Sequence, residues 1–438
     1  MTKGVNVREL ILNVLLEVTR DGEYSHIALK NTLDKYQFLE KQERSFLTRV
    51  CDGTLEHMMY LDYVINQFSK IKVNKMKPVI RCILRSSVYE LKYMDSVPMS
   101  ATCNEAVKLA QKKGFQNLKG FVNGVLRNIS RNLEEISMPN REKEPLTWLS
   151  ITYSMPEWIL KLWQKQYSLD QIEEILQSFL VPRKTSIRVN TMLTTPEKLI
   201  QELEAEQIMV TPHGEIPNAL YIEGYDFLGS IPAFEKGLFY VQDVSSMQVA
   251  LWANPQANAQ VLDVCGAPGG KSIHVAELLK GTGMVTSCDL TEYKVALIQE
   301  NINRCHLTNI QAQQSDARIL YSKEIGQKDI VIADLPCSGL GVIGKKPDIK
   351  YKMSEKICEE LTALQKEILH NVQNYVKPGG ILMYSTCTIN PNENEENVNW
   401  FLKEHPDFLL ERQQQVLPKS GENDGFYLAR LVRKQSEK

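Results

Sequence analysis

The stretch Ala259–Lys280, "AQVLDVCGAPGGKSIHVAELLK", decides the fold. A short apolar run breaks on a glycine- and proline-containing turn, and the chain then resumes with helical periodicity. That is strand, tight turn, helix. The pattern repeats downstream: "GMVTSCDL", "NIQAQQSDA", "DIVIADLP" and "GGILMYSTCTI" read as strands, "TEYKVALIQENINRC" and "SEKICEELTALQKEILHNVQNYV" as helices. Such alternation predicts a doubly wound, mostly parallel α/β sheet. The terminal "GFYLARLVRK" reads as one more strand.

Upstream the pattern differs. "NVRELILNVLLEVTR" sets Leu10, Ile11, Val14, Leu15 and Val18 on one helical face. "PVIRCILRSSVYELKYM" repeats that spacing with Pro78 at its start, and "SATCNEAVKLAQKKG" predicts a helix capped by Ser100 or Thr102 and closed by Gly114. An all-α domain is expected over 1–138. The polar, proline-containing "ISMPNREKEPL" links it to a mixed α+β section over 147–236, with helices near 156–180 and 196–206 and a strand in "TSIRVNT". The α/β domain takes 237–438. No stretch of about 18 apolar residues is present, and the charged start "MTKGVNVREL" has no apolar core, so neither a membrane span nor a secretory leader is expected and the protein is placed in the cytoplasm. None of the nine cysteines is spaced C-x-x-C and histidines are few, so no metal is expected. Most of these cysteines read as buried thiols. The net charge of −2 hides an asymmetry: residues 1–140 carry 21 Lys+Arg against 15 Asp+Glu, leaving 30 against 38 for the remainder. A basic first third suits a polyanionic partner.

The turn "CGAPGGKS" is not a triphosphate loop. Gly270-Lys271-Ser272 could end one, but the first glycine it requires falls on Cys265, and Pro268 removes a backbone donor. Nor do Gly266, Gly269 and Gly270 make the dinucleotide spacing. A ligand without phosphates is implied, seated at the carboxyl ends of the strands. Asp289 ends the second strand, where it can accept from ribose hydroxyls. Asp316 ends the third, near an exocyclic adenine amine, and Asp334 ends the fourth. A glycine-floored, acid-lined slot fits a nucleoside bearing a cationic sulfur, S-adenosylmethionine. Lys271 could serve the reaction or fix the loop.

Two cysteines stand at further strand ends, in Asp334-Leu-Pro-Cys337 and Ser385-Thr-Cys387. Carbon 5 of cytosine is too electron-poor to attack a methyl sulfonium. A thiolate adding to carbon 6 makes carbon 5 nucleophilic, which is covalent catalysis. Asp334 would hydrogen-bond ring N3 and the amino group as charge develops. The chemistry alone leaves open which thiol attacks.

"LDVCGAPGGKS", "DLPCSGLGVIGKKPDIKY", "STCTINPNENEENV" and "DGFYLARL" resemble the NOL1/NOP2/Sun group of RNA cytosine-5 methyltransferases, and "KGFVNGVLRNI" is similar to NusB-type RNA-binding domains. The likeness runs over essentially the whole chain. It implies a Rossmann-like S-adenosylmethionine-dependent methyltransferase domain, a NusB-like all-α N-terminal domain and a small α+β RNA-recognition subdomain, with 16S (small-subunit) ribosomal RNA as partner to a monomer. It further implies Cys387 as nucleophile, Cys337 as the thiol assisting release, and cofactor contacts from Cys265, Gly266, Ala267, Pro268, Gly269, Gly270 and Lys271 with Asp289, Asp316 and Asp334. Gly266 departs from a common alanine, and Lys345-Lys346 from an arginine-rich pair, where RNA contact could be modulated. Arg188 and Asn190 are expected near the RNA or the active-site wall, with a structural ion pair the equal alternative for Arg188. The competing reading is an RNA-binding assembly or antitermination factor on a methyltransferase fold, for which both thiols would be superfluous. A small-molecule or DNA methyltransferase is disfavoured by the basic helical domain.

Overall fold

The computed structural model describes residues 4–435; Met1–Lys3 of the charged start lie outside the described residues. The chain divides into two compact units, one formed by the residues up to Leu180 with Ile343–Lys352, the other by Val181–Val342 and Met353 onward.

The first unit is helical: α1 (Val7–Thr19), α2 (Ser25–Lys35), α3 (Lys41–Glu56), α4 (Met58–Phe68), α5 (Pro78–Tyr93), α6 (Met99–Lys112), α7 (Lys119–Arg131), α8 (Pro145–Thr152), α9 (Glu157–Trp163) and α10 (Leu169–Leu180). Asn6 caps α1 by accepting from the Glu9 amide at 3.1 Å, and the predicted face of α1 is buried. Helix α5 starts at Pro78 as expected. Helix α6 does not start at a hydroxyl cap. It begins at Met99 after Pro98, and Thr102 is buried one turn in, its hydroxyl donating to Glu90 at 2.9 Å. Buried Glu90 also receives the Arg8 guanidinium at 2.7 Å, so tertiary pairing outweighs capping there.

Residues 343–352 complete this unit. Asp348 accepts from the Ser25 amide at 3.1 Å, Tyr351 donates to the Leu55 carbonyl at 3.0 Å and Lys352 to the Gly22 carbonyl at 3.0 Å. Lys350 is 2% exposed and donates to the Glu56 carbonyl at 2.8 Å. Burial, only partly opposed by the charge of Glu56, pulls its pKa down to about 7.

In the second unit β1 (Thr185–Val189), α11 (Pro196–Ala205), β2 (Met209–Pro212), β3 (Ala219–Glu223), α12 (Pro232–Glu235) and β4 (Phe239–Val241) precede the larger sheet. Their strands form an antiparallel sheet ordered β2-β3-β1-β4, and Ile187, Val189, Ile222 and Phe239 pack with Leu199 and Leu203 of α11. Then follow α13 (Val244–Ala253), β5 (Gln260–Asp263), α14 (Gly270–Leu278), β6 (Met284–Asp289), α15 (Glu292–Arg304), β7 (Ile310–Gln314) and β8 (Lys328–Asp334). The short α16 (Ile349–Lys352) belongs to the first unit. The chain ends with α17 (Glu355–Val372), β9 (Val376–Thr386), α18 (Glu395–Glu404), β10 (Phe408–Val416) and β11 (Phe426–Arg433). The seven-stranded sheet runs β10-β11-β9-β8-β5-β6-β7. Strands β5 to β9 are parallel, and β11 and β10 add antiparallel. Its order reverses between β5 and β8, the switch point where such sheets take ligands.

Candidate active site

Every residue expected to be catalytic or to hold the cofactor lies at or just beyond the carboxyl end of a parallel strand of one sheet. Cys265–Lys271 leave β5, Asp289 closes β6, Asp316 follows β7, Asp334 closes β8 with Cys337 three residues on, and Cys387 follows β9. Parallel pairing makes this so: Asp334 lies opposite Ser385 in the β8–β9 register, so both cysteine loops leave the sheet side by side.

The loop after β5 turns its amides inward. Gly266 N–H donates to the Cys288 carbonyl at 2.7 Å, Ala267 N–H to Asp289 at 3.2 Å and Gly269 N–H to the Gly266 carbonyl at 2.6 Å, while Pro268, after a cis peptide bond, has none to give. These donors cannot also cradle a phosphate. The departure at Gly266 has a local cause: a Cβ there would meet Ser287 Oγ at 2.2 Å, and that hydroxyl pairs with Ser272 Oγ at 2.7 Å. Beneath the loop, Asp263 is fully buried, and burial raises its pKa to about 7. One carboxyl oxygen accepts from Ser272 at 2.5 Å; the other has no hydrogen-bond partner among the described residues.

Asp289, 4% exposed, is held by the Leu290 amide at 2.8 Å and by Lys294 at 3.2 Å. Asp316 is paired with Arg318 at 2.7 Å, and that guanidinium holds its carboxyl below the usual range. A cleft of about 620 Å³ runs along the sheet face over β6 and β7, where the β7–β8 connection supplies no α-helix. Of the predicted residues it reaches only Asp316, so it is separate from the thiols.

Asp334 is clamped between Lys271 Nζ at 2.6 Å and Ser385 Oγ at 2.7 Å. Burial works against the Lys271 charge, but Asp334, Asp263 and Cys387 more than offset it, and its pKa is raised. Lys271 is therefore a cation at the Asp334–Cys387 end of the site, a part the sequence left undecided. Cys337 Sγ and Cys387 Sγ lie 3.3 Å apart. The hydrogen bond with Cys387, then burial, then the charges of Cys387 and Glu393 push the Cys337 thiol well above its ordinary pKa. Cys265, Cys337 and Cys387 are partly exposed, and the other six cysteines are buried, as packing thiols should be.

Arg188, 1% exposed, makes the ion pair of its structural reading with buried Glu277 at 3.1 Å and also donates to the Gly270 carbonyl of the loop after β5 at 3.2 Å. Asn190 is likewise buried, donating to the Gly237 and Cys305 carbonyls at 3.0 and 3.1 Å. Sequence reading missed three residues that shape the site: Glu393, Gly341 and Gly425. Gly341 N–H donates to the Cys387 carbonyl at 3.1 Å and Gly425 N–H to the Gly341 carbonyl at 2.9 Å, tying the chain's last loop to both cysteine loops. The glycine of "DGF" was the available signal.

Residues 250–432 match the family model described as 16S rRNA methyltransferase RsmB/F, residues 5–131 the NusB family, and residues 155–225 the RsmF/B-like ferredoxin-like domain. A "probable ribosomal RNA small subunit methyltransferase B" from Bacillus subtilis (strain 168) is 36% identical, covering 99% of this chain and 100% of its own. The chain belongs to the ribosomal RNA small subunit methyltransferase B family. A relative of that name from Serratia proteamaculans is 31% identical over 99% of this chain and 100% of its own. The crystal structure of PH0851 superposes with a TM-score of 0.83 at 27% identity, covering 97% of this chain and 98% of that one. NSun6 from Pyrococcus horikoshii shares the fold with a TM-score of 0.59 at 23% identity over 64% of this chain and 99% of its own.

Proposed function

We propose that this chain methylates carbon 5 of a cytosine in 16S ribosomal RNA through a covalent adduct with Cys387, using S-adenosylmethionine. The observation that carries this reading is the pair of sulfurs 3.3 Å apart at neighbouring strand ends, beside an aspartate clamped by a lysine. The residues present suit the cofactor: inward-turned amides that leave no phosphate cradle, carboxylates at three successive strand ends and an unpartnered buried carboxyl oxygen below the loop. Residues 265–271 with Asp289 and Asp316 would hold it, and when bound it supplies an electrophilic methyl on a sulfonium.

Cys387 Sγ adds to C6 of an unpaired or flipped cytosine, and the C5=C6 electrons move to C5. Asp334, held by Lys271 and Ser385, orients the ring by accepting from its amino group, and the Lys271 cation beside it offsets the negative charge that develops on the ring. Carbon 5, now nucleophilic, would take the methyl as the methyl–sulfur bond breaks with its electron pair left on sulfur. A base then takes the C5 proton, the C5–H electrons rebuild the C5=C6 bond, and the S–C6 bond breaks to return the Cys387 thiolate. Cys337, 3.3 Å from the leaving sulfur, assists this release. The hydrogen bond with Cys387, burial, and then the charges of Cys387 and Glu393 favour the neutral form of Cys337, which suits a thiol that assists release.

RNA carrying 5-azacytidine traps the adduct, because its position 5 has no proton to lose. The wild-type chain should shift to a covalent complex on a denaturing gel, and Cys387→Ala should give none. An adduct that survives Cys387→Ala overturns the assignment.

A further inference from the structure

We infer that Glu393 is a positioning residue that holds the two catalytic thiols in register and so governs release of the methylated RNA. Glu393 is fully buried, so it cannot touch RNA or cofactor. Its carboxylate receives four donors from three segments: the Ser338 amide at 2.9 Å, the Ser338 hydroxyl, Gln365 Nε2 at 2.9 Å and Asn390 Nδ2 at 2.8 Å. Ser338 follows Cys337 in the chain. Its hydroxyl also meets that of Thr388, the residue after Cys387, at 2.8 Å. Gln365 reaches from α17 to the Pro336 carbonyl at 2.8 Å, so the residues on both sides of Cys337 are fixed by the network that fixes Glu393. The Glu393 carbonyl in turn accepts from Tyr384 on β9, the strand that delivers Cys387.

A carboxylate is the group this position demands. Each neighbour of its two oxygens is a donor, and a buried acceptor with four donors satisfies them all. An amide of the same shape would turn an NH₂ against donors already facing it, leaving buried polar groups unmatched. Its negative charge also bears on Cys337 and favours the neutral thiol there. Nothing in this set touches the loop after β5 or Asp289, so the effect falls on thiol geometry and not on cofactor binding.

The inference rests on the two-thiol reaction proposed above. Glu393→Gln should lower kcat at least 10-fold, leave the KM for S-adenosylmethionine within about twofold, and accumulate a covalent complex on ordinary cytosine RNA, as Cys337→Ala should. Ser338→Ala, a smaller change that keeps the carboxylate, should show the same signature at a smaller amplitude, and it decides the matter should Glu393→Gln not fold. Glu393→Asp, which retains both acceptor oxygens, should recover part of the turnover. Ser338→Ala added to Glu393→Gln should cost little more, since the two act as one unit. Wild-type turnover, or loss of turnover without trapped RNA, in folded Glu393→Gln or Ser338→Ala would overturn the positioning role. An adduct still formed by Cys387→Ala would instead overturn the underlying reaction, so the two failures are distinguishable.

Discussion

Gly341→Ala should disable turnover while sparing the cofactor site. A Cβ at Gly341 would lie 2.1 Å from the Gly425 carbonyl oxygen, 2.6 Å from its carbon and 2.9 Å from the Cys387 carbonyl oxygen. All three are backbone atoms, so no side chain can swing aside. Restoring ordinary contact needs a retreat of about 1 Å by the "DGF" loop or by the Cys387 loop. Overpacking of this kind costs about 1–3 kcal/mol. The Gly425–Gly341 and Gly341–Cys387 hydrogen bonds, 2.9 and 3.1 Å, are strained with it, at about 1 kcal/mol each. The melting temperature should fall by roughly 5–10 °C. A thiol displaced by about 1 Å costs on the order of 100-fold in kcat. Gly425→Ala, whose nearest neighbours stand at 2.9 Å, should lose less. Methyl transfer from labelled S-adenosylmethionine to a 16S transcript gives kcat, calorimetry gives cofactor affinity, and thermal unfolding gives stability. Wild-type kcat in Gly341→Ala, or a cofactor affinity that falls in step with kcat, would refute the reasoning.

Two further outcomes concern the helical unit. Lys350 has its pKa pulled to about 7 by burial, below the ordinary 10.5, so the unfolded chain holds this proton more tightly and wild-type stability should rise as pH climbs from about 7 to about 10.5. Lys350→Met removes a penalty of up to about 4 kcal/mol at neutral pH, less about 1 kcal/mol for the lost bond to the Glu56 carbonyl. The variant should therefore melt higher than wild type at pH 7, with the gap closing toward pH 10; a gap that is flat or widens contradicts the buried charge. Deleting residues 1–135 removes the groups that bind Ser25-paired Asp348, Lys350, Tyr351 and Lys352, so trypsin should cut the deleted chain after Lys350 and Lys352 while the full chain resists, and equal cutting in both would count against that anchoring.

The doubly wound sheet was legible because its strands are short apolar runs between amphipathic helices, and strand-end chemistry follows from parallel topology alone. β10 was not legible: "FLLERQQQV" is largely exposed and polar, and it joins the sheet through backbone pairing with β11 instead of through a hydrophobic face. The sheet of β1 to β4 was half-legible, since strands of three to five residues separated by Gly and Pro turns give little periodicity. Charge was the least legible feature. Residue type alone could not decide between a site wall and an ion pair for Arg188, and nothing in "GKKPDIKY" marks Lys350 as buried; Arg188 pairs with Glu277, and Lys350 is buried against a backbone carbonyl. A sequence records that a side chain is charged, whereas its burial depends on a partner supplied from far along the chain, here 89 and 294 residues away.

The same point explains why Glu393 and the two glycines escaped notice while the cysteines did not. A thiol at a strand end announces chemistry by its type. The distance between two thiols is set by groups of no special reactivity, and several such groups converge here. Ser338 and Thr388 join the cysteine loops through their hydroxyls, Glu393 fixes Ser338 from below, and Gly341 carries the Cys387 carbonyl on one side and the Gly425 amide on the other. The last link has a topological reason. Strand β11 inserts between β9 and β10, antiparallel to β9, so its start, just after Gly425, arrives at the edge where β9 ends. A strand added parallel would have brought its far end there, and its backbone could not have braced the loop that bears Cys387.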